Sequence, residues 1–388
     1  MRRNDAGAVF SRRLLLKGGS ASALLSMEGC ATRATSFAPV DRLARDAVAS
    51  GQTPGVVVAI GHRGRIVHRF VHGDRARVPH VEGMSWGTRF DMASLTKPTM
   101  TALAIMQLEE EGLVSLEDRA ARYLPEFALC GKTAITLRML LTHYSGLPPD
   151  LPLDRPWQGR DEAVRLMAET RPSQAPGEGF LYSDINYIAL GFIVERVSGR
   201  ALASCVRSRI LVPLGMTESG YCPDPALRPR IAPTQFDGSG LMLRGIVHDP
   251  TARRMGGVAG HAGLFSDAHD MTTYAQALLD RLAGRESRFP LRRETLARMI
   301  VPQQPRGKAA LRGLGWDIDT HYSSARGKVF SRMSFGHTGF TGTSLWIDPA
   351  SDSYVLILTN RVHPRGGHSV VALRRDVATQ AALALRRL

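Results

Sequence analysis

Gly55-Val56-Val57-Val58-Ala59-Ile60-Gly61-His62-Arg63-Gly64-Arg65-Ile66-Val67-His68-Arg69-Phe70-Val71 is the stretch on which the fold turns. Two apolar, β-branched runs, Gly55–Ile60 and Arg65–Val71, flank His62-Arg63-Gly64, so the segment predicts a β-hairpin. The other strand-like runs lie far away, near the opposite end: Leu311–Ile318, Lys328–Phe335, Thr343–Asp348 and Ser353–Leu358. Between them the pattern is helical. Ser94–Glu111 has helical apolar spacing and stops at Gly112. Residues 115–225 are mostly helical, with Pro-rich connections at Leu147–Pro156 and Arg171–Gly179, and 226–260 read as a long loop region. Asp267–Ala283 and Glu294–Ile300 follow as helices. An amphipathic helix Val40–Ser50, ended by Gly51, opens the pattern and Val370–Leu388 closes it. Strands at both ends with helices between them imply one sheet assembled from the two ends, the helical middle being an insertion. The expected division is an α/β part, 38–125 with 260–388, and a helical part, 126–259.

Composition sets the outer limits. The chain has 388 residues, 44% hydrophobic and 22% charged, enough apolar material for a core and unlike a disordered or collagenous chain. A formal net charge of +15 invites a nucleic-acid reading. Only five of the 50 basic residues are lysines, however, and the arginines are spread along the whole chain rather than gathered in a patch. No nucleic-acid partner is therefore expected. The first 34 residues are predicted to be an export signal rather than part of the fold. Ser11-Arg12-Arg13-Leu14-Leu15-Leu16-Lys17 carries the paired arginines of a twin-arginine signal, and a short Gly- and Ala-rich apolar stretch follows. The expected location is the bacterial periplasm. Two processing outcomes stay open. Met27-Glu28-Gly29-Cys30 resembles a lipobox that would place a lipid anchor on Cys30, whereas cleavage near Ala31 or Ala34 would release a soluble protein. Cys130, Cys205 and Cys222 remain in either case, with neither disulfide-framework nor metal-site spacing.

Three short motifs carry chemistry. In Ser94-Leu95-Thr96-Lys97, residues i and i+3 share a helix face, so the Lys97 amine can lie beside the Ser94 hydroxyl. A serine hydroxyl is a poor nucleophile at neutral pH and needs such a neighbour to lose its proton. Pro98 fits only an early helical position, which puts Ser94 near a helix start, where free N–H groups favour a developing oxyanion. Tyr182-Ser183-Asp184 follows the turn-rich Ala175-Pro176-Gly177-Glu178 and precedes the helical run Ile185–Val197. A tyrosine at that junction can project into a cleft, and a nearby ammonium favours its phenolate as a general base. His337-Thr338-Gly339 sits between two strand-like runs, and Phe340 N–H there could supply a second oxyanion donor. Each motif alone has an ordinary structural reading: a surface Ser and Lys, a capped helix start, a strand-end turn. His143 reads as a hydrogen-bonded structural residue. His248, Asp249 and His261, in Gly-rich surroundings, suit a loop beside the cleft, with His261 on the substrate side and no metal expected.

Taken together and in this order, the motifs resemble the penicillin-recognising serine hydrolases. Within them the chain is similar to the class C β-lactamase-related group, which includes D,D-peptidases, D-aminopeptidases and carboxylesterases. Leu140-Leu141-Thr142-His143-Tyr144-Ser145-Gly146-Leu147, Ser198-Gly199-Arg200, Pro213-Leu214-Gly215-Met216 and Gly260-His261-Ala262-Gly263-Leu264-Phe265-Ser266 extend the likeness. Val247-His248-Asp249 with Gly256-Gly257-Val258-Ala259-Gly260-His261 looks most like the penicillin-binding protein 4B subgroup. The resemblance implies a β-lactamase/transpeptidase-like α+β fold, an antiparallel sheet flanked by helices plus a mostly helical domain. It implies Ser94 as acylated nucleophile, Lys97 as proton shuttle and Tyr182 as base and then acid. It also implies the Ser94 and Phe340 N–H groups as oxyanion hole, and water as the final acyl acceptor. No cofactor is implied; the partner is a small-molecule or peptidoglycan-fragment substrate. His337, with Thr338 and Gly339, would line the substrate's far side where the family more often has Lys, and Asp184 stands where many members have Asn. Both changes are expected to weaken carboxylate recognition and to disfavour efficient β-lactamase activity. Two rivals remain: a penicillin-binding protein that acylates without turnover, and a non-catalytic envelope-polymer binder.

Overall fold

The predicted hairpin is present, and its turn shows why. Arg63 (φ 47°) and Gly64 (φ 84°) are consecutive left-handed residues, the pairing that a tight hairpin turn demands. They join β1 (Gly55–His62) to β2 (Arg65–Ala76). The computed structural model describes residues 36–388; the twin-arginine segment and Cys30 lie outside the described residues. The remaining strands are β3 (Glu82–Gly83), β4 (Phe90–Asp91), β5 (Gly220–Tyr221), β6 (Leu264–Ser266), β7 (Leu311–Arg312), β8 (Asp317–Asp319), β9 (Phe335–Thr338), β10 (Ser344–Asp348) and β11 (Ser353–Thr359).

The two ends of the chain do build one sheet. β1 pairs antiparallel with β2 on one side and with β11 on the other, Val56 opposite Thr359 through His62 opposite Ser353. The full order is β3-β2-β1-β11-β10-β9-β8-β7, eight strands. Every residue of β1 is buried, because successive side chains face two different cores. Val56, Val58 and Ile60 pack with the opening helix Ala38–Ala49 and the closing helix Val371–Leu385. Val57 and Ala59 pack with the larger core, which holds Leu103 and Met106 after the serine motif and Met271 and Tyr274 of the helix Ala268–Ala283. A sheet covered on both faces explains a nearly continuous apolar strand.

Two expected strands differ. Leu311–Ile318 is not one strand but the tight pair β7 and β8, closed where Gly313 N–H donates to Trp316 O at 2.9 Å. Lys328–Phe335 is mostly not strand; β9 starts only at Phe335. Val329 and Phe330 pack against the closing helix, and Lys328 N–H donates to Thr379 Oγ1 of that helix at 3.1 Å. Their apolar character serves that contact rather than a sheet. The stretch 226–260 is largely loop, broken by a 3₁₀ turn at Pro225–Arg230 and a short helix Pro250–Arg254. A second sheet, β4-β6-β5, ties the residues just before Ser94 to the His261 loop and to the middle of the chain. Among the described residues no helix is long and apolar enough to cross a membrane.

Candidate active site

Ser94 follows a strained turn. β4 ends at Asp91, and Met92 N–H donates to Leu264 O at 2.8 Å. Ala93 then takes a left-handed conformation, φ 47°, which costs a non-glycine residue about 1 kcal/mol or more. The buried Asp91 carboxyl holds it there: Oδ1 accepts Ala93 N–H at 2.8 Å and Oδ2 accepts His248 N–H at 2.7 Å. Burial pushes that carboxyl up to about 6 against the pull of these two N–H groups. The turn Ala93–Leu95 runs into a helical segment, Lys97–Ala102 and then Leu103–Glu110, so Ser94 stands at a helix start as expected.

Lys97 lies fully buried beneath Ser94, ringed by three oxygens. Its Nζ donates to Ser94 Oγ at 3.0 Å and to the His261 carbonyl at 3.0 Å, and lies 2.6 Å from Asp184 Oδ1. The Asp184 contact is ionic, without hydrogen-bond alignment. Burial by itself would strip the proton from Lys97; the Asp184 charge and the Tyr182 oxygen outweigh it and hold the side chain protonated.

Tyr182 is set by His143. The two rings stack with centroids 4.4 Å apart, and Lys97 Nζ lies 5.1 Å from the Tyr182 centroid. His143 ends the helix Leu137–Thr142 in a left-handed conformation, φ 61°, and its Nδ1 accepts Ser183 N–H at 3.2 Å. Burial pushes the His143 imidazole well below its ordinary value, so it is a neutral support, in keeping with the structural reading of that residue. Burial raises the Tyr182 phenol, and the Lys97 charge pulls in the opposite direction.

The far wall comes from β9 and the turn into β10. His337 is buried, with Nδ1 2.9 Å from Thr338 O, and burial pushes its imidazole well below the ordinary value. Gly339 is required sterically: a Cβ there would sit 2.2 Å from Thr343 Oγ1 and 2.6 Å from Met92 O. Thr341 Oγ1 donates to Asp91 O at 2.8 Å and Thr343 Oγ1 to Met92 O at 3.1 Å, which fastens this turn to the one bearing Ser94. The buried Arg374 of the closing helix donates to Gly339 O (2.8 Å) and Thr343 O (2.9 Å) from behind. Phe340 itself is 61% exposed, stacked on His248 and covered by the Arg361 guanidinium.

Ser94, Tyr182, His337, Thr338, Gly339 and Phe340 thus line one cleft of about 450 Å³. Lys97 and Asp184 lie below Ser94. Two expectations change here. The His261 side chain is not on the substrate side: it is fully buried, with Nε2 2.7 Å from Asp249 Oδ1, and only its carbonyl reaches Lys97. Asp184 does not stand as an unbalanced anion facing substrate, because its charge meets Lys97 at 2.6 Å. Sequence reasoning also missed Arg312, Arg361 and Arg374, all of which line the cleft. Nothing distinguishes them in a chain where arginine is everywhere. Asp184, Asp249 and His261 bring one oxygen or nitrogen each to within 4.8 Å of one another, the kind of set a cation could use. The Lys97 ammonium already supplies a positive charge there.

A sheet built from both ends of the described chain, with Ser94, Lys97 and Tyr182 meeting beside β9, defines a serine hydrolase of the penicillin-recognising kind. The Beta-lactamase family model matches residues 40–379, and the chain belongs to that family. It is 31% identical over 311 residues to the Escherichia coli K12 protein named "Putative D-alanyl-D-alanine carboxypeptidase", covering 71% of this chain and 70% of that one. Among solved structures the fold is similar to EstCE1, a hydrolase with promiscuous acyltransferase activity (TM-score 0.70, 23% identity, 88% of this chain and 98% of that chain). It is also similar to the octameric penicillin-binding protein homologue from Pyrococcus abyssi (TM-score 0.67, 23% identity, 83% and 73%).

Proposed function

We propose that this hydrolase works through a Ser94 acyl-enzyme on esters and on short peptides ending in a D-amino acid, of the kind found in peptidoglycan. The observation that carries the reading is the Lys97 ammonium held between Ser94 Oγ and Asp184 under an open cleft. In acylation the Tyr182–Lys97 pair first sheds one proton, and the phenolate then takes the Ser94 proton as Oγ bonds to the carbonyl carbon. The oxyanion forms against the Ser94 and Phe340 N–H groups. Tyr182 returns the proton to the leaving amine or alcohol, and water repeats the sequence to release the acid. The relative's name supports a peptide with a free carboxylate. So does Arg361, a cation over Phe340 that no carboxylate pairs among the described residues. This arrangement supplies the attraction for a carboxylate that the neutral His337 does not.

Intact mass and turnover test the reading together. Wild type and Ser94→Ala are incubated with a fluorophosphonate, short-chain nitrophenyl esters, D-alanyl-D-alanine peptides and a fluorescent penicillin. Stoichiometric labelling and steady turnover of ester or peptide, both lost in Ser94→Ala, are expected; labelling that survives in Ser94→Ala refutes the nucleophile. A burst without turnover on every substrate would favour the penicillin-binding rival. We also propose export to the periplasm, resting on Ser11–Lys17. A reporter fused behind residues 1–34 should lose export on Arg12→Lys with Arg13→Lys, and continued export would count against it.

A further inference from the structure

Below the catalytic groups lies a second buried charge cluster that the mechanism does not use. His261 is completely buried. Its Nε2 meets Asp249 Oδ1 at 2.7 Å, and its Nδ1 has no partner among the described residues. Asp249 is itself fixed, because the same Oδ1 caps the helix Pro250–Arg254 by accepting Ala252 N–H at 2.7 Å. The His261 carbonyl is one of the three oxygens around Lys97. The groups facing this imidazole are Lys97 from the serine helix, Asp184 from the helix Asp184–Ser198, Asp249, and Asp150 from the loop after His143.

We propose that His261 and Asp249 are positioning residues for Lys97: the pair fixes the carbonyl that holds the ammonium and sets a second positive charge beside it, so that Lys97 and Tyr182 release a proton more readily. The proposal rests on the Ser94 acyl-enzyme reading. Lys97 faces the Asp184 carboxylate at 2.6 Å, and Asp249 adds a second negative charge at longer range; left uncompensated, the two together bind the proton too tightly for a group that must take part in proton transfer. An imidazolium on Asp249 cancels one of them. Burial opposes a charged His261, but the Asp249 charge and hydrogen bond and the Asp184 charge outweigh it and shift the imidazole up from its ordinary value. Burial would raise Asp249, and His261 pulls it well below the usual carboxylate range. The ammonium and the imidazolium are like charges, and each loosens the other's proton.

The test compares kcat/KM for a nitrophenyl ester against pH in wild type, His261→Gln, Asp249→Asn and the double variant. His261→Gln leaves Asp249 uncompensated. The alkaline rise of the profile should move up by about one pH unit, with a rate about tenfold lower at a fixed pH below it. The double variant removes both charges, so its rise should return to the wild-type position even though the loosened carbonyl keeps the rate about threefold low. Asp249→Asn should behave like the double variant, because its His261 has lost the anion that keeps it charged. Equal profiles for His261→Gln and the double variant would overturn the proposal. So would an unshifted His261→Gln. If His261→Gln does not fold, a displaced rise in the double variant relative to Asp249→Asn overturns it equally. Fluorophosphonate labelling is run alongside: loss of Ser94-dependent labelling from wild type would sink the underlying reading, whatever the profiles do.

Discussion

Replacing Lys97 by Met keeps its shape and removes its charge, which separates what the ammonium does for the fold from what it does for chemistry. Lys97 is fully buried, and Asp184 retains one-fifth of its side-chain exposure. Breaking a buried ion pair by deleting one partner costs about 3–5 kcal/mol, because the other charge is left uncompensated. The residual exposure of Asp184 puts this case near the low end, about 3 kcal/mol. With a urea m-value of roughly 3 kcal/mol/M for a chain this size, the unfolding midpoint should fall by about 1 M. Adding Asp184→Asn removes the stranded charge and should recover most of that loss. Activity should not follow. Lys97→Met loses the group beside Ser94 Oγ, and ester hydrolysis should drop by about 10³-fold or more in both the single and the double variant. The assay is a urea curve followed by fluorescence, paired with kcat/KM on a nitrophenyl ester. If Lys97→Met is as stable as wild type, the 2.6 Å contact is not an energetically important ion pair. If the double variant regains activity along with stability, Lys97 is a structural residue only.

Three further outcomes follow from particular contacts. Gly339→Ala places a Cβ 2.6 Å from the backbone of Met92, so the turn must part from Ser94; kcat should fall about 10²-fold with a stability loss of only about 1–3 kcal/mol, and a kcat within twofold of wild type would remove Gly339 from the site's architecture. Burial and the nearby Asp249 and Asp184 charges push Asp150 up to about 6, above its unfolded value near 4. Its neutral form is therefore the one the fold favours, and its penalty appears as pH rises from about 4 through 6, reaching at most about 3 kcal/mol. Asp150→Asn should stabilise the protein at pH 8 and much less at pH 4.5, and equal urea shifts at the two pH values would contradict this. Asp91→Ala leaves two buried N–H groups unpaired and frees Ala93 from its left-handed turn, so stability should fall by about 2–4 kcal/mol and fluorophosphonate labelling of Ser94 should slow; unchanged labelling would show that Ala93 holds without it.

Most of the fold was legible because the two ends of the chain keep simple periods. β1, β2, β10 and β11 fall where the apolar runs place them, and so do the opening and closing helices. One of the two strand failures comes from apolar residues whose partner is not a strand. Val329 and Phe330 read as strand but belong to the contact with the closing helix. The site divides in the same way. Ser94, Lys97, Tyr182 and the His337–Phe340 turn carry motif spacing, and they converge. His261 carried only a family likeness, so its side was misjudged: nothing local distinguishes a histidine facing a cleft from one facing a buried carboxylate ten or more residues earlier in the chain. Asp184 was read as an anion because its partner, Lys97, is distant in sequence and adjacent only after folding.

The construction of the site also explains why so many of its supports are ordinary residues. Ser94 and Phe340 sit on different segments, and an oxyanion hole built from their N–H groups works only if the two segments keep a fixed separation. Three side chains outside every motif set that separation. Thr341 and Thr343 reach back to the carbonyls of Asp91 and Met92, and Arg374 closes the carbonyls of Gly339 and Thr343 from the closing helix. Among the described residues Arg374 has no carboxylate partner, and burial pushes it down to about 9, an unusual cost for a guanidinium. A buried cation held only by carbonyl oxygens costs stability wherever it is placed. Here it rigidifies the one turn that must not move relative to Ser94. The closing helix is thus part of the catalytic frame as well as a cover for the sheet, which is why the two chain ends must meet before the site exists.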